Sequence, residues 1–547
     1  MKKILLFASV IMFSLGSLTS CIEYMTPETS YADEDQRNSA PEFYESLVAS
    51  MTSSLTGSFM YSPNNTYPYD FGYPSFFLMR DVMGQDIACE NSGSEWYTTW
   101  YTCGTGLAPT SAACQMPWTC YYKWIYSCND VIRVSGETPS GNKASGAGIA
   151  YAMRAMFYMD LARMFATETY AVNPNAETVP IIKETTTIEE STNNPRAINK
   201  DMWNFIISDL DKAEVLLANY KRSDKFTPDT TVVFGLKARA YLVMEDWANA
   251  RKYAKKAQEG YTVMNKEQYL NQKTGFNTPN DSWMFGLTYL PTDDNIVKND
   301  GDSSWGSQMI IEVSESECGY SSNYVGPKRI DAHLFSTIPA TDFRRMCWID
   351  PAIDELESKE DMIKALAAYS DAPEGLAQTG LVVSSRGTVG CMPVKFRPQG
   401  GEHKDQYKAF TVAVPLMRVE EMKLIEAEAA GMMNESEGIS LLTEFAKTRD
   451  ENYQYDTVTS FRDQVWWQRR VELWGEGFAT FDIKRLNKGI TRSYAGTNHP
   501  EGLRWNTTGV PQWMNLCIVQ TETNYNFACT NNPTPIAPTG DSAPYVW

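Results

Sequence analysis

The chain has 547 residues, with 48 basic and 67 acidic side chains and a formal net charge of −19. That balance argues against a nucleic-acid-binding protein, which needs a net basic face. A composition of 43% apolar and 21% charged residues argues against a disordered chain. Only three histidines occur, so a histidine-rich metal centre or a His-based triad is not expected, whereas 15 Trp, 30 Tyr and 23 Phe can build flat contact surfaces.

Lys2 and Lys3 precede an apolar run, Ile4 to Leu18, that is too short to span a bilayer. Leu18-Thr19-Ser20-Cys21 follows and resembles the lipobox of bacterial lipoproteins. Residues 1–20 therefore read as a signal peptide cleaved before Cys21, whose thiol would carry the lipid anchor. No apolar run of 18 or more residues follows Cys21, so no membrane span is predicted. Residues 21–40 are polar and acidic, as a lipidated tether should be. Export also bears on the other cysteines. Cys89, Cys103, Cys114, Cys120 and Cys128 fall close together without CxxC spacing or a nearby His, which disfavours zinc. Two readings stand for them: local disulfides, or buried free thiols.

Helical spacing dominates 41–264. Trp118, Tyr122, Ile125, Val131 and Ile132 mark one helix, residues 150–165 (AYAMRAMFYMDLARMF) a second, and 201–217 (DMWNFIISDLDKAEVLL) a third with an amphipathic pattern. Residues 229–259 read as two helices meeting near Met244 to Trp247, with alanines that allow close packing. This is tetratricopeptide-like texture, and a similar pair occupies 416–449. Trp118, Trp124, Trp203 and Trp247 sit in these patterns and are assigned to the core. Between 265 and 410 Asn, Asp, Gly, Pro and Ser multiply, with strand-like runs at 283–290, 309–313 and 410–414. This segment reads as an irregular binding lobe, and 411–547 as a return to the helical scaffold.

Several of these segments, in order, resemble the SusD/RagB family of outer-membrane nutrient-binding lipoproteins. They are 118–132 (WTCYYKWIYSCNDVI), 149–165 followed by Val179-Pro180, 202–217, 232–257 and 416–430 (LMRVEEMKLIEAEAA). The clearest is 469–486 (RRVELWGEGFATFDIKRL), similar to the family's RRxELxxEGxRxxDLxR signature with Ala479 where Arg is usual; Ala166 likewise replaces a usual Gly. The resemblance implies a mainly α, tetratricopeptide-like scaffold with a loop- and short-strand-containing binding lobe. It also implies a surface-exposed, lipid-anchored outer-membrane protein that acts as a lid on a SusC-like TonB-dependent transporter barrel.

Within the signature, Glu472 and Glu476 would share a helical face if the helix continued past Gly475, and a catalytic reading would make them an acid/base pair. Glycosidase carboxylates flank a cleft, however, and Arg–Glu alternation is better read as structural ion pairing. The same reading is given to Glu421, Glu426 and Glu428. His333, His403 and His499 show no partner pattern, and neither GxSxG nor HExxH occurs. No enzymatic activity is expected.

Sugar rings stack their C–H faces on aromatic rings while their hydroxyls need fixed polar partners. Residues 89–101 (CENSGSEWYTTWY) supply that mixture without helical period, nominating Trp96, Tyr97 and Trp100 with Asn91 and Glu95. The family's starch binder carries a platform Trp in the equivalent stretch, and by the same resemblance Trp305, Tyr320 and Tyr324 of the lobe join the platform. The leading expectation is glycan capture and delivery to the transporter. A peptide ligand on the same architecture, a lid without its own site and, less favoured, a surface glycoside hydrolase are the alternatives. Acidic loops 292–295 (TDDN) and 299–304 (NDGDSS) offer oxygen ligands for calcium without matching an EF-hand; no other cofactor is expected.

Overall fold

A computed structural model describes residues 41–57, 67–90, 96–297, 301–313, 319–324, 326–382, 388–536 and 538–547. The chain divides into two compact units, Met1–Leu47 and Val48–Trp547. The described part of the first is the opening of α1 (Pro41–Ser53). The predicted cleavage site and Cys21 lie outside the described residues.

The helices of the second unit start with α2 (Ser75–Val82) and the short α3 (Thr98–Thr102). Helix α4 (Ala112–Ser135) begins where the Ser111 side chain accepts the Ala113 N–H, and it ends at Gly136, whose φ of 77° suits glycine. Then come α5 (Asn142–Phe165), α6 (Asn199–Leu216), α7 (Thr230–Met244) and α8 (Trp247–Ala257). Asp229 caps α7, and Asp246 caps α8 directly after Glu245 turns the chain through a left-handed conformation. After the lobe's α9 (Trp305–Met309), the scaffold resumes with α10 (Val419–Met433), α11 (Glu435–Lys447), α12 (Phe461–Glu472) and α13 (Ala479–Arg485).

Each scaffold helix packs on the next: α4 on α5, α5 on α6, α6 on α7, α7 on α8, α8 on α10 and α10 on α11. Buried alanines at 238, 240, 250, 254 and 257 permit the close approach read from the sequence. Helices α10 and α11 meet backbone to backbone at Gly438, where an added Cβ would sit 2.3 Å from the Gly431 Cα. Trp118, Trp124 and Trp203 are core, as expected, while Trp247 is half-buried with the Arg462 guanidinium 5.2 Å from its ring centroid. Among the described residues no helix is long and apolar enough to cross a membrane.

Two short antiparallel ladders complete the frame. Strand β1 (Ile87–Ala88) pairs with β3 (Arg329–Ile330), and β2 (Trp283–Thr288) pairs with β4 (Ala413–Arg418). The strand expected at 410–414 is thus displaced to 413–418. The strand expected at 309–313 is not one: Met309 closes α9, and Ile310 to Val313 run on extended without a ladder. Ile310, Ile311 and Val313 are buried for tertiary reasons, which a short apolar run cannot distinguish from pairing.

Four of the five cysteines of the 89–128 group, Cys103, Cys114, Cys120 and Cys128, are buried free thiols, which favours the second reading over local disulfides among them.

Candidate functional site

The β1–β3 ladder joins the chain just before Trp96 to the chain just after Tyr320. Helix α9 fastens the rest. The Ser304 side chain caps α9 by accepting the Ser307 N–H at 3.1 Å, and the Ser307 hydroxyl accepts the Tyr320 N–H at 2.9 Å. The next residue, Gln308, donates through Nε2 to the Pro68 carbonyl at 3.4 Å and accepts from Lys328 Nζ at 2.9 Å. Its own carbonyl accepts the Ser321 hydroxyl. One buried helix therefore holds the Tyr67–Tyr69 segment and the Tyr320–Tyr324 turn in fixed relation.

The result is a group of rings of which Trp96, Tyr320 and Tyr67 reach the surface while Tyr69 is buried among them. Trp96 is 37% exposed. Tyr320 meets it edge-on, with ring centres 6.3 Å apart, and Tyr69 flanks it at 6.1 Å. Tyr67 stacks on Tyr69 at 5.1 Å with ring planes 10° apart. Both Tyr67 and Tyr320 are half-buried. Beneath them Trp100 sets its ring edge to Tyr69 at 5.3 Å, and Tyr97 lies 5.4 Å from Trp100.

Tyr97, Trp100 and Trp305 therefore do not form the platform they were expected to form. All three are almost completely buried. Tyr97 donates its hydroxyl to the Ser75 carbonyl, and Trp100 donates its indole N–H to the Ala113 carbonyl at 3.2 Å. Trp305 packs edge-on against Phe77 and Phe396. Each lies in or beside a helix of five residues, α3 or α9, too short to leave a period in the sequence. Asn91 and Glu95 lie outside the described residues; Tyr324 ends the described helical turn Tyr320–Tyr324. Tyr67 and Tyr69 were missed, although TYPYDFGYP (66–74) has the same aperiodic aromatic texture that singled out 89–101.

The signature carboxylates do something else. Helix α12 stops at Glu472, and Gly475 takes a φ of 77°, so Glu472 and Glu476 do not share a continuous helix. Both nevertheless reach Arg418, which sits at the junction of β4 and α10. Arg418 contacts Glu476 at 2.8 Å, Glu472 at 3.1 Å and Glu420 at 3.0 Å. Glu472 also pairs with Arg449 at 3.0 Å and Arg344 at 3.2 Å, and Glu476 with Lys395 at 2.7 Å. Burial pushes the Glu472 carboxyl up, but Arg449, Arg418 and Arg344 outweigh it and hold it far below the carboxylate range. For Glu476, burial is likewise overcome by Arg418 and Lys395. Permanently charged, buried and saturated with cations, neither is available for proton transfer.

The neighbouring charges are also internal. Arg469 pairs with Asp482 at 2.7 Å, Arg485 bridges Asp482 and Glu428, and Glu421 takes Arg239. Glu426 accepts from Gln258 at 2.7 Å. The expected ion pairing is present for Glu421 and Glu428, whereas Glu426 has a neutral amide partner; apart from Arg485–Asp482 within α13, the pairs run between elements rather than along one helix. At the unusual Ala479, the backbone N–H donates to Asp81 at 3.0 Å, as does that of Gly477 at 2.9 Å. Burial exceeds these bonds and lifts the Asp81 carboxyl to about 7.

The histidines do have partners, all remote in sequence. His499 is buried between the Tyr101 hydroxyl, 2.7 Å from Nδ1, and the Gln85 carbonyl, 3.1 Å from Nε2. His333 stacks on Trp547 at 3.5 Å, and His403 Nε2 lies 2.7 Å from Asp371 Oδ1. In the loop considered for calcium, Asp293 accepts the Leu290 N–H, and the Asn295 side chain donates to the Thr56 carbonyl. Residues 299 and 300 of the second acidic loop lie outside the described residues.

A helical scaffold of stacked pairs, a loop-built aromatic surface and a buried Arg–Glu core define an α-helical binding protein. Two family profiles match it: "Starch-binding associating with outer membrane" over residues 60–242 and "SusD family" over 378–534. The chain belongs to the SusD/RagB family. It is 22% identical over 511 residues to SusD-like protein P38 of Formosa agariphila, spanning 88% of this chain and 91% of the relative. A SusD-like carbohydrate binding protein from Bacteroides vulgatus shares the fold with a TM-score of 0.67 at 21% identity, covering 89% of this chain and 96% of that one. Surface glycan-binding protein A from Bacteroides thetaiotaomicron, in complex with laminarihexaose, gives 0.65 at 16% identity, covering 90% and 99%.

Proposed function

We propose that this protein is a cell-surface glycan receptor. It would be anchored to the outer membrane through lipid on Cys21, and would capture oligosaccharide or polysaccharide and pass it uncleaved to a SusC-like TonB-dependent barrel. The observation that carries the reading is the exposed Trp96 ring, held between Tyr320 and Tyr69 with Tyr67 alongside. Such a surface presents indole and phenol faces to sugar C–H groups and phenolic hydroxyls to sugar oxygens. Asn91, Glu95 and Tyr324 flank it in sequence and are proposed as further ligand contacts. The family's description as starch-binding and outer-membrane-associating supports the reading, as do the glycan-binding names of structural relatives.

The test is retention of the purified protein in polysaccharide-containing affinity gels, followed by calorimetry on oligosaccharides that give a hit. Truncating a central aromatic contact costs about 2 kcal/mol or more, close to 30-fold in affinity. Trp96→Ala is expected to lose binding by that factor without a change in fold. Glycan binding that survives this substitution refutes the assigned platform; binding of peptides with silence across glycans refutes the ligand class.

A further inference from the structure

The sequence offers no metal motif, yet three lobe segments converge on one. Glu312 lies three residues after α9, Asp371 precedes the helix Pro373–Val382, and His403 follows the turn Gln399–Gly401. One ring nitrogen of His403 and one carboxylate oxygen from each of Asp371 and Glu312 lie within 4.8 Å of one another. Among the described residues it is the one such grouping of three.

Two of these residues carry polar atoms with nothing to bond. Glu312 is fully buried, and its Oε2 has no hydrogen-bond partner; neither has the buried Nδ1 of His403. A buried polar atom left unpaired costs about 1–3 kcal/mol, so native proteins rarely retain two together without a reason. The other oxygen, Glu312 Oε1, is held in place by Arg397 at 3.0 Å and by the Ser370 hydroxyl. Outer contacts of that kind fix the orientation of a ligating carboxylate. Arg397 offsets one of the two carboxylate charges, leaving a site that is still net negative when the imidazole is neutral.

We infer that Glu312, Asp371 and His403 form a binding site for a divalent metal of the zinc class. An imidazole with two carboxylates suits zinc and its transition-metal neighbours, whereas calcium and magnesium favour all-oxygen shells. Three protein ligands leave one tetrahedral position for water. On binding, either ring nitrogen of His403 can face the ion: Nδ1, which has no hydrogen-bond partner, or Nε2, whose hydrogen bond to Asp371 then gives way to metal bonds. The ion then ties together three segments of the lobe that share no regular hydrogen-bonded ladder.

Calorimetric titration of metal-free protein with Zn²⁺ and then Ca²⁺ tests this, with cobalt substitution to read the ligand types. The expected result is one equivalent of zinc, bound at least 10-fold tighter than calcium, with a raised thermal midpoint. The cobalt spectrum should be tetrahedral and free of thiolate charge transfer. His403→Ala and Asp371→Asn should each weaken zinc at least 10-fold, while His333→Ala leaves it unchanged. Glu312→Gln is a poorer probe, because it also unpairs Arg397. No zinc uptake, uptake indifferent to His403→Ala, a thiolate signature, or tighter calcium binding would each overturn the assignment.

Discussion

Replacing Glu472 by Gln tests whether the family signature is a structural device. The buried cluster around it contains Arg344, Lys395, Arg418 and Arg449, matched by Asp342, Glu420, Glu472 and Glu476, with side chains at most 5% exposed. Charges therefore cancel. The substitution keeps the shape but leaves one uncompensated cation and turns an amide N–H₂ toward arginine donors. Removing one partner of a buried pair costs about 3–5 kcal/mol. Unfolding entropy near 2.1 cal/mol/K per residue, over the roughly 500 residues of the second unit, converts this to a fall of about 3–5 °C in melting temperature.

Differential scanning calorimetry and guanidinium melts at pH 7 should show that loss. The sign of the pH dependence follows from the direction of the shift. The folded Glu472 carboxyl is held far below its unfolded value of about 4.3, so its contribution is complete above that pH and is lost as pH falls toward the folded value. The gap between wild type and variant should be constant from pH 7 to 5 and narrow below about 4.3. A variant within 1 °C of wild type at pH 7, or a gap that widens on acidification, would refute the reasoning.

Other perturbations follow the same physics. Lys484 is buried with its amine bonded to the Arg163 and Ala166 carbonyls, and burial lowers it to about 7. A lowered amine gives stability that is full above its unfolded value near 10.4 and lost as pH falls through the folded one. Wild type should therefore gain on Lys484→Gln by on the order of 1 kcal/mol per unit between pH 7 and 10 in urea melts. Gly438→Ala would force a Cβ against Gly431, and melts should show a loss of about 1–3 kcal/mol from overpacking between α10 and α11. A thiol-alkylating reagent read by mass spectrometry should leave Cys103, Cys114, Cys120 and Cys128 unmodified in native buffer and label all four in guanidinium, without prior reduction. Trp305→Ala should destabilise by about 3–5 kcal/mol, as loss of a buried ring rather than of a ligand contact.

The scaffold was readable because its information is local. Apolar residues at i, i+3 and i+4, alanines at packing positions and Asp229 and Asp246 at the caps all lie within a few residues of what they determine. The ion pairs of 469–486 were anticipated as structural, yet the partners of Glu472 and Glu476, namely Arg344, Lys395, Arg418 and Arg449, come from four other segments that spacing cannot reveal. The platform was half legible. Aperiodic aromatic sequence marked the right stretch, but whether a ring at 96 or at 100 faces solvent depends on α3, one helical turn long, and on Tyr69 arriving from elsewhere. Tyr67 and Tyr69 carried the same texture and went unread. The grouping of Glu312, Asp371 and His403 was beyond reach, since its members are tens of residues apart and no ligand spacing links them.

The central claim is that glycan binds on the Trp96 surface. The most direct measurement is the affinity of wild type, Trp96→Ala and Tyr320→Ala for one oligosaccharide series by calorimetry, with Trp305→Phe as a buried control. The account predicts a loss of about 30-fold for Trp96→Ala, a smaller loss for Tyr320→Ala and none for the control. Equal affinity across all four proteins would contradict it.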